Sequence, residues 1–184
     1  MKHILFFGDS LTAGYGLANP AKESFPALLD NKMRLAGFEY EISNAGVSGD
    51  TTAGGLSRLN YWLSKTVDIF VLELGINDLR HGIPPTQIAH NLQLIVNQVR
   101  ERYPAAKLLL LGMQIPFAAS GGAVAAFNAI YRNIAEANHL PLVPFILKGV
   151  AGQRHLNLQD RFHPSAEGYK IVTENIGPAL SALL

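Results

Sequence analysis

The chain of 184 residues contains no cysteine. That removes a disulfide framework, a thiolate nucleophile and a cysteine-ligated metal from consideration, although it does not fix the compartment. Charge is also scarce, with 16% charged residues against 48% hydrophobic and a net charge of +1. Such a composition excludes an intrinsically disordered chain. Lysine and arginine are scattered without a basic stripe, which argues against a nucleic-acid partner. No apolar run approaches the ~20 residues that cross a bilayer. The six histidines form no H-E-x-x-H or similar pair, so no metal is expected. Gly14-Tyr15-Gly16 lacks the third glycine of a dinucleotide fingerprint, and no cofactor is expected either. After Lys2 the apolar run Ile4-Leu5-Phe6-Phe7 is too short for a signal core. As it stands the sequence reads as cytoplasmic; a periplasmic or secreted protein whose leader had been removed would read the same.

What is present is a regular alternation of short apolar runs and longer amphipathic ones. The length fits one domain over residues 1–184, large enough to bury a full core. Strands are predicted at His3–Phe7, Glu39–Ser43, Asp68–Leu74, Lys107–Leu111 and Leu140–Phe145. The run Lys107–Leu111 is continuously aliphatic, as in strands buried on both faces. Helices are predicted at Glu23–Ala36, Thr51–Ser64 and from Pro84-Pro85 to Arg102, with Ile88, Leu92, Val96 and Val99 inward. A loop from Phe117 leads into a helix ending at Asn138, and a last helix starts at Pro164. This order implies an α/β fold, a parallel sheet with helices on both faces.

In such a sheet, ligands bind beyond the carboxyl ends of the strands. The first strand ends in Gly8-Asp9-Ser10, the second in Asn44-Ala45-Gly46 and the third in Gly75-Ile76-Asn77-Asp78. A late loop carries Asp160-Arg161-Phe162-His163-Pro164. Acyl transfer accounts for this set. A serine hydroxyl needs a base, which His163 can be for Ser10. The histidine needs an orienting carboxylate, and Asp160 lies three residues away. An oxyanion needs donors, and the Ser10 N–H, the Gly46 N–H and the Asn77 amide are candidates. Each motif alone also has a plainer reading as a helix cap or a turn; their joint occurrence, in this order, is what points to acyl transfer. Asp9 is a candidate second acid or a turn residue bonded to backbone.

The blocks GDSLTAGYG (8–16), NAGVSGDTT (44–52), ELGIND (73–78) and DRFHP (160–164) make the sequence resemble the GDSL, or SGNH, hydrolases. With GLSRL and MQIP added, it resembles most their bacterial branch of arylesterases and thioesterase I/protease I/lysophospholipase L1. The resemblance covers nearly the whole chain. It implies a flavodoxin-like three-layer α/β/α sandwich with a five-stranded parallel sheet, a Ser10–His163–Asp160 triad, and an oxyanion hole of Ser10, Gly46 and Asn77. It also implies a serine esterase for aryl or short-to-medium acyl esters, extending to acyl thioesters or lysophospholipids. Asp9, Leu11, Ile76, Ile115, Pro116 and Phe117 are the candidate substrate contacts. Ile76 departs from the glycine common at that place, and isoleucine is poorly suited to positive φ. Small-molecule substrates and a monomer or weak homo-oligomer are expected. Two alternatives stay open at this level: a carbohydrate acetylesterase of the same superfamily, and a non-catalytic flavodoxin-like module binding a nucleotide.

Overall fold

The apolar runs Ile4–Phe7, Ile69–Leu72 and Leu108–Leu111 become parallel strands because they are buried on both faces and can satisfy their backbone only through neighbours. A computed structural model describes residues 2–115 and 122–184. Among these residues the sheet has five parallel strands in the order β2-β1-β3-β4-β5. They are β1 (Lys2–Gly8), β2 (Tyr40–Gly46), β3 (Ile69–Glu73), β4 (Lys107–Leu111) and β5 (Leu142–Val143). Ile4, Leu5, Phe6 and Phe7 of central β1 are wholly buried, so that strand has no solvent face.

The helices are α1 (Ser10–Ala13), α2 (Pro20–Glu23), α3 (Phe25–Leu35), α4 (Thr52–Trp62), α5 (Ile76–Arg80), α6 (Pro85–Arg102), α7 (Gly122–Asn138) and α8 (Ala166–Ser181). α3 packs on α8, while α6 packs on α4 and α7, giving a helical layer on each side of the sheet. The three-layer α/β sandwich expected from the sequence is the observed fold.

Several boundaries differ from the sequence reading, three of them for a visible reason. The helix expected over Glu23–Ala36 is two helices, because Ser24 between them is extended (φ −66°, ψ 154°). β5 is cut to two residues, since Pro141 and Pro144 flank it and proline cannot donate to a ladder. α8 starts at Ala166, where the Ser165 side chain accepts the Gly168 N–H, an N-cap that outcompetes Pro164 as the start.

Register places the site. Gly8 pairs with Gly46 on one side and with Glu73 on the other, so three strands end level and their turns leave from one edge. The chain steps from β1 to β2, then returns to place β3 on the other side of β1. The crevice that opens at such a reversal is where open α/β sheets bind ligands.

Candidate active site

Ser10 is the first residue of α1 and only 5% exposed. The Asp9 side chain caps that short helix by accepting the Leu11 N–H at 2.9 Å. The turn is tight, and only glycine fits before it: a Cβ on Gly8 would lie 2.1 Å from Thr12 Oγ1 and 2.6 Å from the Glu73 carbonyl. The Tyr169 hydroxyl of α8 ties this turn by donating to the Leu11 carbonyl, and the Tyr131 hydroxyl of α7 ties the turn after β3 by donating to the Leu74 carbonyl, each at 2.9 Å.

His163 Nε2 stands 2.9 Å from Ser10 Oγ, across 153 positions of sequence. His163 Nδ1 stands 2.6 Å from Asp160 Oδ2. The other Asp160 oxygen accepts the N–H groups of Phe162 and His163 at 2.9 and 3.0 Å. Arg161 takes a left-handed φ of 60°, which closes the turn so that the carboxylate reaches back to the ring. Burial pushes the Asp160 carboxyl up, but the His163 ring and the two N–H groups outweigh it and hold the group down to about 2. Two aromatic rings pack against the imidazole, Tyr15 at 4.6 Å and Phe162 at 5.1 Å between centroids. Ser10, His163 and Asp160 thus form one hydrogen-bonded chain that can move a proton off the hydroxyl.

The expected oxyanion donors lie beside it, and two are already engaged. The Gly46 N–H donates to Asn44 Oδ1 at 2.9 Å. The Asn77 amide nitrogen donates to Asp9 Oδ2 at 3.0 Å and to the Asp50 carbonyl at 2.9 Å. Gly46 lies against α1 so closely that a Cβ would be 2.2 Å from the Ala13 nitrogen.

The candidate substrate contacts fare differently. Asp9, Leu11 and Ile76 are 0, 1 and 3% exposed. They pack into the body of the site rather than lining an open surface. The strain anticipated at Ile76 is absent, because the positive φ falls one residue earlier, at 125° on Gly75. There a side chain would meet the Tyr131 hydroxyl at 2.7 Å. Ile115 is half-buried, its N–H held by the Asn128 side chain at 2.9 Å. Pro116 and Phe117 lie outside the described residues.

Sequence reasoning passed over several supporting groups. Arg58 of α4 forms a half-hidden ion pair with Asp50 at 2.7 Å and donates to the carbonyls of Ala45 (2.8 Å) and Gly8 (3.0 Å). Glu73 is buried at the end of β3, where it accepts the Thr12 hydroxyl at 2.8 Å and the Asp9 N–H at 3.1 Å. Burial, then the Asp9 charge, holds its carboxyl well above the usual range. Burial pushes Asp9 up to about 6, partly offset by the Leu11 N–H. The one available signal was Glu73, an acid inside the apolar run Ile69–Leu74. Among the described residues no group of three or more His, Asp or Glu is placed to hold a metal ion, and no helix is long and apolar enough to cross a membrane.

Comparison with known proteins shows the family. Residues 6–171 match the GDSL-like Lipase/Acylhydrolase family. The chain is 36% identical over 182 residues to the esterase TesA of Pseudomonas aeruginosa, covering 98% of this chain and 89% of that protein. It is 32% identical to the arylesterase of Vibrio mimicus, covering 96% and 87%. It is 32% identical to thioesterase 1/protease 1/lysophospholipase L1 of Escherichia coli, covering 98% and 84%. The crystal structure of TesA superposes with a TM-score of 0.92 over 100% of both chains at 36% identity. That of AlinE4, an SGNH-hydrolase family esterase, gives 0.80 over 100% and 96% at 38% identity.

Proposed function

The chain belongs to the GDSL-like lipase/acylhydrolase family, and on that footing we propose that Ser10 is the nucleophile of its ester hydrolysis, with His163 as base and Asp160 as the orienting carboxylate. The protein is a carboxylic ester hydrolase of the serine esterase type. The observation that carries the residue assignment is the unbroken hydrogen-bonded chain Ser10 Oγ to His163 Nε2, His163 Nδ1 to Asp160.

Ser10 Oγ attacks the acyl carbonyl while His163 Nε2 takes its proton. Asp160 keeps the Nδ1–H tautomer in place and stabilises the imidazolium. The oxyanion that forms is met by the Ser10 N–H at the start of α1, by the Gly46 N–H and by the Asn77 amide. For the last two the substrate oxygen displaces a protein acceptor, Asn44 Oδ1 and the Asp50 carbonyl. His163 then protonates the departing alcohol or thiol, and water attacks the acyl-enzyme by the same route in reverse. All three residues come from one chain, so a monomer suffices for the chemistry. The substrates are small aryl or short-to-medium acyl esters, with reach toward acyl thioesters and lysophospholipids, as in the named relatives. A nucleotide-binding module would leave the Ser10–His163–Asp160 chain without a purpose.

A fluorophosphonate probe should label Ser10 stoichiometrically, and Ser10→Ala should lose kcat on p-nitrophenyl acetate by on the order of 10⁴–10⁶. A folded Ser10→Ala variant turning over at the normal rate sinks the assignment. Esters of increasing acyl length, assayed beside acyl-CoA and lysophospholipid, define the range.

A further inference from the structure

We infer that Asp9 is a positioning residue for the Asn77 amide, its buried carboxylate fixing which face of that amide is turned toward the reacting carbonyl; this rests on the reading of Asn77 as an oxyanion donor. An amide side chain has two donor hydrogens on nitrogen and an acceptor oxygen. Exchanging nitrogen and oxygen by a half-turn hardly changes its shape. An oxyanion hole needs the nitrogen inward, so something must decide the orientation. Asp9 Oδ2 lies 3.0 Å from Asn77 Nδ2. An ionised carboxylate only accepts, so it tolerates the amide nitrogen there and repels the amide oxygen.

Asp9 is held hard enough to act as that reference. It is fully buried, and its other oxygen accepts the Leu11 N–H at 2.9 Å. Its own N–H donates to Glu73 at 3.1 Å. One carboxylate therefore caps the helix that begins with Ser10 and, with its second oxygen, holds the donor on α5. The spacing between nucleophile and oxyanion donor is set through a single rigid group.

The second amide hydrogen is the exchangeable one. It rests on the Asp50 carbonyl at 2.9 Å, next to residues 47–49, which are exposed. An acyl oxygen arriving from solvent can replace that carbonyl, whereas Asp9 lies beneath and keeps its hydrogen bond throughout. The resting Asp50 contact thus keeps the donor satisfied until a substrate arrives, and Asp9 ensures that a hydrogen is what the substrate meets.

The test is a double-mutant cycle on p-nitrophenyl acetate with wild type, Asp9→Asn, Asn77→Ala and the combined variant. Asn77→Ala should lower kcat by ~10²–10³. Asp9→Asn should lower kcat by about 10–100-fold with KM little changed, since a neutral amide no longer dictates the orientation. The combined variant should be no slower than Asn77→Ala, because nothing remains for Asp9 to orient. Asp9→Ser serves as the second variant: serine keeps the helix cap but cannot reach Asn77, and it should show the same kcat loss. Thermal melts establish that each variant is folded at the assay temperature. Losses that multiply in the combined variant, or full kcat in Asp9→Ser, overturn the role of Asp9 alone. Full kcat in Asn77→Ala overturns the donor reading itself and this inference with it.

Discussion

Arg58 Nη2 donates to the carbonyl of Gly8 at 3.0 Å, so a side chain from α4 holds the backbone two residues before Ser10. The same guanidinium donates to the Ala45 carbonyl, pairs with Asp50, and lies 4.0 Å over the Phe7 ring. It satisfies the ends of two strands at once. Arg58→Met should cost ~2–4 kcal/mol by leaving the Asp50 carboxylate without its cation and taking one donor from the Ala45 and Gly8 carbonyls, of which Gly8 keeps the Val47 N–H. For a chain of this size that is a fall in Tm of roughly 5–15 °C. Arg58→Lys should recover little, because an ammonium cannot span the three acceptors. Differential scanning calorimetry of both variants checks this, and a lysine variant melting with wild type contradicts it.

Gly46 has no room for a side chain. A Cβ would sit 2.2 Å from the Ala13 nitrogen and 2.6 Å from its Cα, both backbone atoms of the helix that carries Ser10. Gly46→Ala should therefore push β2 and α1 apart, costing at least ~1–3 kcal/mol of stability. Activity should fall further than stability explains, since the displaced helix bears the hydroxyl. Residual kcat measured well below the variant's Tm separates the two effects.

Glu73 and Asp9 are buried carboxyls whose affinity for protons rises on folding. For a group raised in the folded state, the stabilising contribution is fully present below the unfolded value near 4 and is lost as pH rises through the folded value. For Asp9 that loss runs from about 4 to about 6, and for Glu73 it runs upward from the ordinary carboxylate range. Glu73→Gln keeps an acceptor for Thr12 and for the Asp9 N–H but has no proton to lose. The wild-type Tm should decline as pH rises above the ordinary carboxylate range near 4, and the Glu73→Gln decline should be shallower. Parallel Tm curves would show that Glu73 does not titrate there.

Asp160 behaves in the opposite sense. Its carboxyl is held down to about 2, so its contribution is present above the unfolded value near 4 and lost as pH falls through 2. An acid limb in the rate above pH 4 therefore belongs to another group. Asp160→Asn should lose kcat by ~10³–10⁴, as the amide no longer holds the imidazole tautomer. It should also flatten the fall in stability between pH 4 and 2. Rate and acid-unfolding profiles of the variant test both statements.

Much of the frame was legible in the chain. Ile4–Phe7, Ile69–Leu72 and Leu108–Leu111 are apolar without alternation and occupy the centre of the sheet. The spacing of Ile88, Leu92, Val96 and Val99 marked the buried face of α6. Asp160 and His163 are local neighbours, so their pairing could be anticipated from separation alone. The short helices α2 and α5 were missed because four or five residues carry no period to detect.

The sequence by itself determined which chemistry was available: a serine in a strand-end turn, a histidine with a nearby carboxylate, glycines and an asparagine at neighbouring strand ends. The tertiary structure alone decided how each hydrogen is spent. Asn77 finds Asp9 across 68 positions, Thr12 finds Glu73 across 61, and Arg58 finds Gly8 across 50. A side chain's type fixes how many hydrogen bonds it can make. Which partners it makes them with depends on strands brought level by register, and that is a property of the packed sheet rather than of any local stretch of chain.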